Sequence, residues 1–98
     1  MSLDLERIRN GIDNCNKEII ELIDERMDYV LEVAEHKHEN DMQIVDEERE
    51  EEVRQDFADQ FEEKGMPPER GKEFADVLIA TAIDLEAEKL DREIERRE

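Results

Sequence analysis

Several features that usually stabilise small domains are scarce in this sequence. Its 98 residues include one cysteine, no tryptophan and only 37% hydrophobic residues. The single cysteine, Cys15, excludes an intrachain disulfide, so we expect a cytoplasmic chain in which Cys15 packs as a small core residue. Because burial is thin for a chain of this length, two interpretations are open: disorder, or an oligomer that completes the core. The regular apolar spacing favours the oligomer.

Positive charge and long apolar runs are scarce as well. The chain has 14 Lys and Arg residues against 32 Asp and Glu, for a net charge of −18. This balance argues against nucleic acid and anionic membranes as partners, since both require a cationic face. No apolar run is long enough to span a bilayer, and no signal peptide is visible. Such an acidic surface suits a salt-rich cytoplasm that screens self-repulsion, so we hypothesise that the protein is halophilic. Stability that does not depend on salt would contradict this hypothesis.

Proline and glycine are too rare to interrupt the chain often, with two prolines and three glycines in total. We therefore predict an all-α single domain over residues 1–98, with helices at about 3–38, 46–64 and 67–96. The first helix would be roughly 54 Å long. A compact domain of this size has a radius of gyration of only about 13 Å. A helix of that length needs a packing partner beyond its own chain.

The helix boundaries carry local signals. The pair Asn40-Asp41 predicts a break after the first helix. The carboxylate of Asp46 can cap the free amides at the start of the second helix. The stretch "KGMPPE" (64–69) ends that helix with a glycine and opens the third with prolines.

The apolar residues of the second and third helices predict the core. We expect three aromatic core residues: Phe57, Phe61 and Phe74. The packed side of the third helix is expected to carry Phe74, Val77, Leu78, Thr81 and Leu85. On the first helix, Tyr29 is expected to pack at a helix interface.

One stripe of the first helix combines apolar and cationic residues. Apolar positions recur every three or four residues at Ile12, Ile19, Ile23, Val30 and Val33, which is typical of a buried face. The same stripe carries Arg9, Arg26 and Lys37. Cations on a buried face are costly unless they reach water, pair with carboxylates or meet an anionic ligand.

Helix geometry favours the ligand. Arg26 and Lys37 point within about 20° of each other and lie roughly 16 Å apart along the axis, so their long side chains can hold one small dianion. Arg9 is about 25 Å from Arg26 and too far to join. If a second, antiparallel copy crosses near Ile20, its Arg9 lies level with the midpoint of that pair. A symmetric dimer would then build two pockets for a small molecule with two carboxylates.

Three stretches resemble the all-helical chorismate mutases, the chorismate mutase type II family. They are "IRNGID" (8–13), "IIELIDERMDYVLEVAEHK" (19–37) and "IVDEERE" (44–50), which cover most of the first half of the chain. The resemblance implies an intertwined homodimer of three-helix protomers. It also implies isomerisation of chorismate to prephenate, a pericyclic step in phenylalanine and tyrosine biosynthesis that needs no cofactor and forms no covalent intermediate.

The family pattern assigns roles to the cationic stripe. It implies that Arg26, together with Arg9 of the second copy, binds the substrate carboxylates. Lys37 would reach a carboxylate and the ether oxygen, which gains negative charge as its C–O bond breaks. Such a site works by electrostatic preorganisation and by holding a flexible substrate in its reactive shape.

The second helix carries further implied ligands and separates the alternatives. Glu50 would bind the ring hydroxyl, with Asp46 beside it and Arg49 supporting the carboxylate site. The isochorismate–pyruvate lyases use the same scaffold, and "RMDYV" (26–30) resembles them too, but the acidic pair Asp46 and Glu50 favours the mutase. The remaining alternative is a non-catalytic acidic helical module whose cations form dimer salt bridges.

The family also places a Gln, sometimes a Glu, on the third helix as a second donor to the ether oxygen, with a small polar residue one turn earlier. Aligning on Phe74 puts Thr81 at the small position and Leu85 at the donor position. A shift of one residue puts Ala82 and Glu86 there instead. Glu86 could donate only when protonated, which requires burial to raise its pKa. Both registers stay open.

Metal binding has little support in the sequence. His36 and His38 are two residues apart and face different directions on a helix. The acidic run 46–52 lacks the glycine turn and ligand spacing of a calcium loop. We therefore predict no metal site.

Overall fold

The computed structural model describes residues 2–40 and 46–97, with side-chain surroundings for 4–40 and 46–89. It contains the helices α1 (Ser2–Glu39), α2 (Glu47–Glu63) and α3 (Pro68–Arg97), and the described residues include no strand. The prediction of an all-α, three-helix protomer is confirmed. Of the predicted break, Asn40 forms a turn, whereas Asp41 lies outside the described residues. No helix in the described part of the chain is long and apolar enough to cross a membrane.

Both ends of α2 are set by local hydrogen bonds. Asp46 is extended, with φ −121° and ψ 93°, and its carboxylate accepts a hydrogen bond from the backbone N–H of Arg49 at 3.1 Å. The acidic first turn of α2 also favours the positive end of the helix dipole. At the other end, Gly65 has φ 78° and the N–H of Met66 donates to the carbonyl of Phe61 at 2.9 Å. Because glycine has no Cβ, it adopts this left-handed conformation at little cost in free energy, so Gly65 ends the helix.

A row of small residues on α3 packs against α2. Gly71, Ala75 and Ala82 are buried on this side of α3. A Cβ added at Gly71 would lie 2.6 Å from the carbonyl oxygen of Phe57, so the two backbones meet closely there. Next to this contact the rings of Phe61 and Phe74 pack with centroids 5.6 Å apart. Small side chains let the two helices approach, and this approach forms the core.

This arrangement corrects the expected packed side of α3. The sequence pattern put the large apolar residues inward, but Phe74 is 58% exposed and Val77 is 64% exposed in the single chain. The other residues of that predicted side, Leu78, Thr81 and Leu85, are half-buried. The core prediction is therefore wrong for Phe74, whereas Phe57 and Phe61 are half-buried. The reason is distance: helices whose backbones approach closely at Gly71 have no room for bulky residues on the facing side.

The two halves of α1 differ in their surroundings. Every residue from Asp4 to Leu22 is exposed, including Cys15, for which the core prediction is wrong within one chain. From Ile23 onward α1 packs on α3, with Met27 and Ala34 buried. The molecule measures 62 × 29 × 15 Å with a radius of gyration of 17.7 Å, well above the roughly 13 Å of a compact chain of this length. The intertwined dimer stays a prediction.

Candidate active site

A cavity of about 300 Å³ lies where the C-terminal half of α1, the start of α2 and the C-terminal half of α3 meet. Its walls include five apolar side chains: Val30, Val33, Val53, Ile79 and Ile83. Its charged lining residues are Arg26, Lys37, Asp46, Arg49, Glu50 and Glu86. A concave, mostly apolar site with a few convergent charged groups is typical of a small-molecule pocket.

Arg26 carries the clearest sign of a ligand. The residue is half-buried, and its Nη1 atom is fully buried without a hydrogen-bond partner among the described residues. Leaving a buried donor unsatisfied costs about 1–3 kcal/mol, and more when the group is charged. Position 26 faces this way because it continues the stripe of Ile23, Val30 and Val33 along α1. An anionic oxygen in the cavity would satisfy this guanidinium.

Lys37 and Glu86 bring a cation and a carboxyl group into the same cavity from α1 and α3. Burial raises the pKa of Glu86, and the negative charge of Glu50 raises it further, whereas the positive charge of Lys37 opposes the shift. The net direction is upward, which favours the neutral carboxyl form. In that form Glu86 has an O–H that can donate a hydrogen bond into the cavity.

The start of α2 supplies the third wall. Capping occupies one oxygen of Asp46, since Oδ1 accepts from the N–H of Arg49. The Arg49 side chain pairs with Glu52 at 3.2 Å, but both side chains are exposed. An exposed pair of this kind contributes little, so the guanidinium of Arg49 is free to turn toward an anion. Glu50 is more enclosed and faces the cavity within one turn of the cap.

The structure distinguishes between the two possible alignments of α3 with the family pattern. Glu86 and, one turn earlier, Ala82 line the cavity, whereas Leu85 and Thr81 are not among its lining residues. The Thr81 hydroxyl donates instead to the carbonyl of Val77 at 2.8 Å, within its own helix. The face of α3 with small residues points inward, and Glu86 continues that face.

Tyr29 differs from the expected arrangement, whereas Arg9 lies where helix geometry put it, away from the cavity of its own chain. Tyr29 lines the cavity, although the sequence reading placed it at a helix interface. Its spacing of three from Arg26 and four from Val33 was the signal that could have placed it there. Arg9 is exposed in the N-terminal half of α1 and does not line the cavity of its own chain.

The chemistry of this site follows from its charges. Three cations, Arg26, Lys37 and Arg49, line an apolar-walled space that fits a compact dianion. Within the described part of the chain, no group of three or more His, Cys, Asp or Glu residues is arranged to hold a metal ion. The three cations can stabilise negative charge that develops on a bound molecule, and Glu86, whose pKa burial raises, adds a donor when it is protonated.

The fold and cavity define an all-helical protein with an apolar-walled pocket lined by three cations and three acidic residues. The family model for chorismate mutase type II matches residues 8–87, most of the chain, and this protein belongs to that family. A search of curated proteins and a search of solved structures each returned no match.

Proposed function

We propose that this chain is a chorismate mutase that isomerises chorismate to prephenate. The observation that carries the proposal is the buried Nη1 of Arg26, which has no hydrogen-bond partner among the described residues, in a cavity also lined by Lys37 and Arg49. Chorismate carries two carboxylates, and membership of the type II family supports it as the substrate. In the reaction an ether C–O bond breaks as a C–C bond forms, so no co-reactant is required.

The proposed roles follow the positions of the charges. Arg26 and Arg49 bind substrate carboxylate, and Lys37 reaches a carboxylate and the ether oxygen. Glu86, whose pKa burial raises, donates to the same oxygen from the opposite helix when it is protonated. As the ether bond breaks, negative charge grows on this oxygen, and donors already in place stabilise it without reorganisation.

The polar groups of α2 orient the ring. Glu50 accepts a hydrogen bond from the ring hydroxyl, with Asp46 beside it. The apolar walls exclude water and hold the flexible substrate in its compact shape, which removes much of the entropic barrier. Thr81 has no part in this proposal because its hydroxyl is used within α3.

We propose that the functional unit is a homodimer in which Arg9 completes the site of the other copy. Its support is the exposed apolar stripe of α1, where Ile12 is 55% exposed and Ile19 is 54% exposed. A second antiparallel α1 would cover this stripe and bring Arg9 to the cation pair. A cytoplasmic location also belongs to this proposal, since the single Cys15 is a free thiol.

The activity is tested by incubating the purified chain separately with chorismate and with isochorismate. We expect the chain to convert chorismate to prephenate, and mass spectrometry detects the product. Salicylate and pyruvate from isochorismate, without prephenate, would assign the lyase activity instead. If a folded dimer converts neither compound, the remaining interpretation is the non-catalytic helical module. The mutase is favoured because Asp46 and Glu50 both line the cavity.

The shared site is tested by mixing two inactive variants, Arg9→Ala and Arg26→Ala. If Arg9 acts across the interface, half of the randomly mixed dimers contain one complete site out of two, and about a quarter of the wild-type activity returns. In the control, Arg7→Ala takes the place of Arg9→Ala. Arg7 lies on another face of α1, and the Arg7→Ala variant should be active before mixing. No recovery on mixing would show that Arg9 does not act in the other copy's site.

A further inference from the structure

Outside the cavity, Arg54 of α2 holds a cluster of three carboxylates that the proposed roles leave unexplained. Its Nε donates to Oδ1 of Asp76 at 2.5 Å, and its Nη1 donates to Oε2 of Glu51 at 3.4 Å. Its Nη2 lies 3.7 Å from Oε1 of Glu50. Arg54 does not line the cavity, but Glu50, one turn earlier on α2, does.

The contact between Arg54 and Glu50 differs from the surface ion pairs of this chain. The Glu50 side chain is 20% exposed and that of Arg54 is 30% exposed, whereas Glu51 is 68% exposed. Glu51 lies closer to Arg54, at 3.4 Å against 3.7 Å, but the pair with Glu50 is partly withdrawn from water at the cavity wall and is therefore less screened. Asp76 reaches Arg54 from α3, the helix that also carries Glu86.

We propose that Arg54 is a positioning residue that, anchored by Asp76, holds the Glu50 carboxylate at the cavity wall and away from the cations of the cavity. The inference rests on the proposed function, because it concerns how Glu50 meets the ring of the substrate. Arg54 touches no reacting atom and acts through Glu50.

The physical reason is competition between carboxylates. The cavity holds Arg26, whose Nη1 has no hydrogen-bond partner in the part of the chain that the structure describes, together with Lys37 and Arg49. These cations attract any nearby carboxylate. A Glu50 side chain without its counter-charge would turn toward them and occupy the place of a substrate carboxylate. The contact with Arg54 supplies the opposing attraction from outside the cavity. Glu50 therefore stays at the cavity wall, and the place of the substrate carboxylate stays open.

Steady-state kinetics of Arg54→Met tests this role. We expect KM for chorismate to rise about tenfold, the effect of losing one charge-assisted interaction, while kcat changes much less. Arg54→Lys keeps the charge and should recover most of the lost affinity. The matched control is Arg70→Met, because Arg70 pairs with Glu73 on the exposed side of α3 and should leave KM unchanged. An unchanged KM in Arg54→Met would overturn the inference.

A double-mutant cycle separates positioning from a general structural effect. If Arg54 acts through Glu50, then Arg54→Met should have no further effect on KM in a Glu50→Gln background. Equal effects in both backgrounds would show a structural role and overturn the inference. Should Arg54→Met fail to fold, Asp76→Asn tests the same contact by releasing the anchor, with an expected rise in KM of about threefold.

An NMR titration of the Glu86 carboxyl carbon distinguishes failure of this inference from failure of the proposed function. The charged groups that line the cavity around Glu86 are Arg26 and Lys37 on α1 and Asp46, Arg49 and Glu50 on α2, with the phenol of Tyr29 beside them. Arg54→Met should raise the pKa of Glu86 only when Glu50 is present. If this coupling is found in a chain that makes no prephenate, the function fails and the inference stands. If the chain makes prephenate and the coupling is absent, the inference alone fails.

Discussion

The two halves of α1 carry the same pattern of apolar and cationic residues, but they have different surroundings. From Ile23 to Lys37 the stripe packs on α3 and lines a cavity, and a weak contact of 3.7 Å between Lys89 and Glu35 adds to this junction. From Asp4 to Leu22 every residue is exposed. Within the described residues, only the C-terminal half of the longest helix is packed by other parts of its own chain. The other half is the strongest argument for a second copy.

The largest expected effect comes from the exposed half. The double variant Ile12→Glu, Ile19→Glu should abolish both the dimer and turnover, because a symmetric interface loses each burial twice, at about 1.5–3 kcal/mol per side chain. Light scattering after gel filtration measures the dimer. The control Asn10→Glu, Asn14→Glu adds acids at the opposite face of α1 and should keep it. A dimeric, active Ile12→Glu, Ile19→Glu variant would show that the exposed half of α1 is not the dimer interface.

In the packed half, Arg26→Ala should lower kcat/KM by about 10²–10³, the usual cost of removing one partner of a buried ion pair. The proposed dimer should be retained, since Nη1 of Arg26 holds no group of residues 4–40 or 46–89 in place. Arg70→Ala, an exposed arginine outside the cavity, is the control for charge and length. Loss of the dimer with no specific loss of turnover would favour the non-catalytic module.

Two glycines compare packing in the two regions directly. Gly71→Ala should destabilise the chain by about 1–3 kcal/mol, because the new Cβ overlaps the carbonyl of Phe57. Gly11→Ala meets nothing within 4 Å in its own chain and should stabilise α1 by about 1 kcal/mol. Urea denaturation measures both free energies of unfolding. Destabilisation at Gly11 would mean that the second copy approaches the helix closely at that residue.

The smallest expected effect concerns pH. Glu86 donates only while protonated, so activity should fall as the pH rises through the raised pKa of Glu86. Glu86→Gln keeps an amide donor at every pH and should flatten this fall, with a gain of about tenfold on the alkaline side. The pH dependence of kcat compares the two proteins. Identical profiles would exclude Glu86 as the titrating donor.

Much of the candidate site could be predicted from the sequence because the signals are periodic. Arg26 and Lys37 share a stripe by helical spacing alone, and Asp46 has its capping position by local preference. Tyr29 was missed although its spacing placed it on the same side. Arg54 was missed for a different reason: its partner Asp76 lies 22 residues away, and no local pattern links them.

By itself the sequence determined the length, order and ends of the three helices, since caps, glycine and proline act within about one turn. It also determined that one face of α1 carries both apolar and cationic residues. Only the tertiary structure decided which face of α3 turns inward. This choice also decided that Glu86, rather than Leu85, lines the cavity. That choice depends on the distance between two helices, and small residues at Gly71, Ala75 and Ala82 set this distance jointly with the backbone of α2.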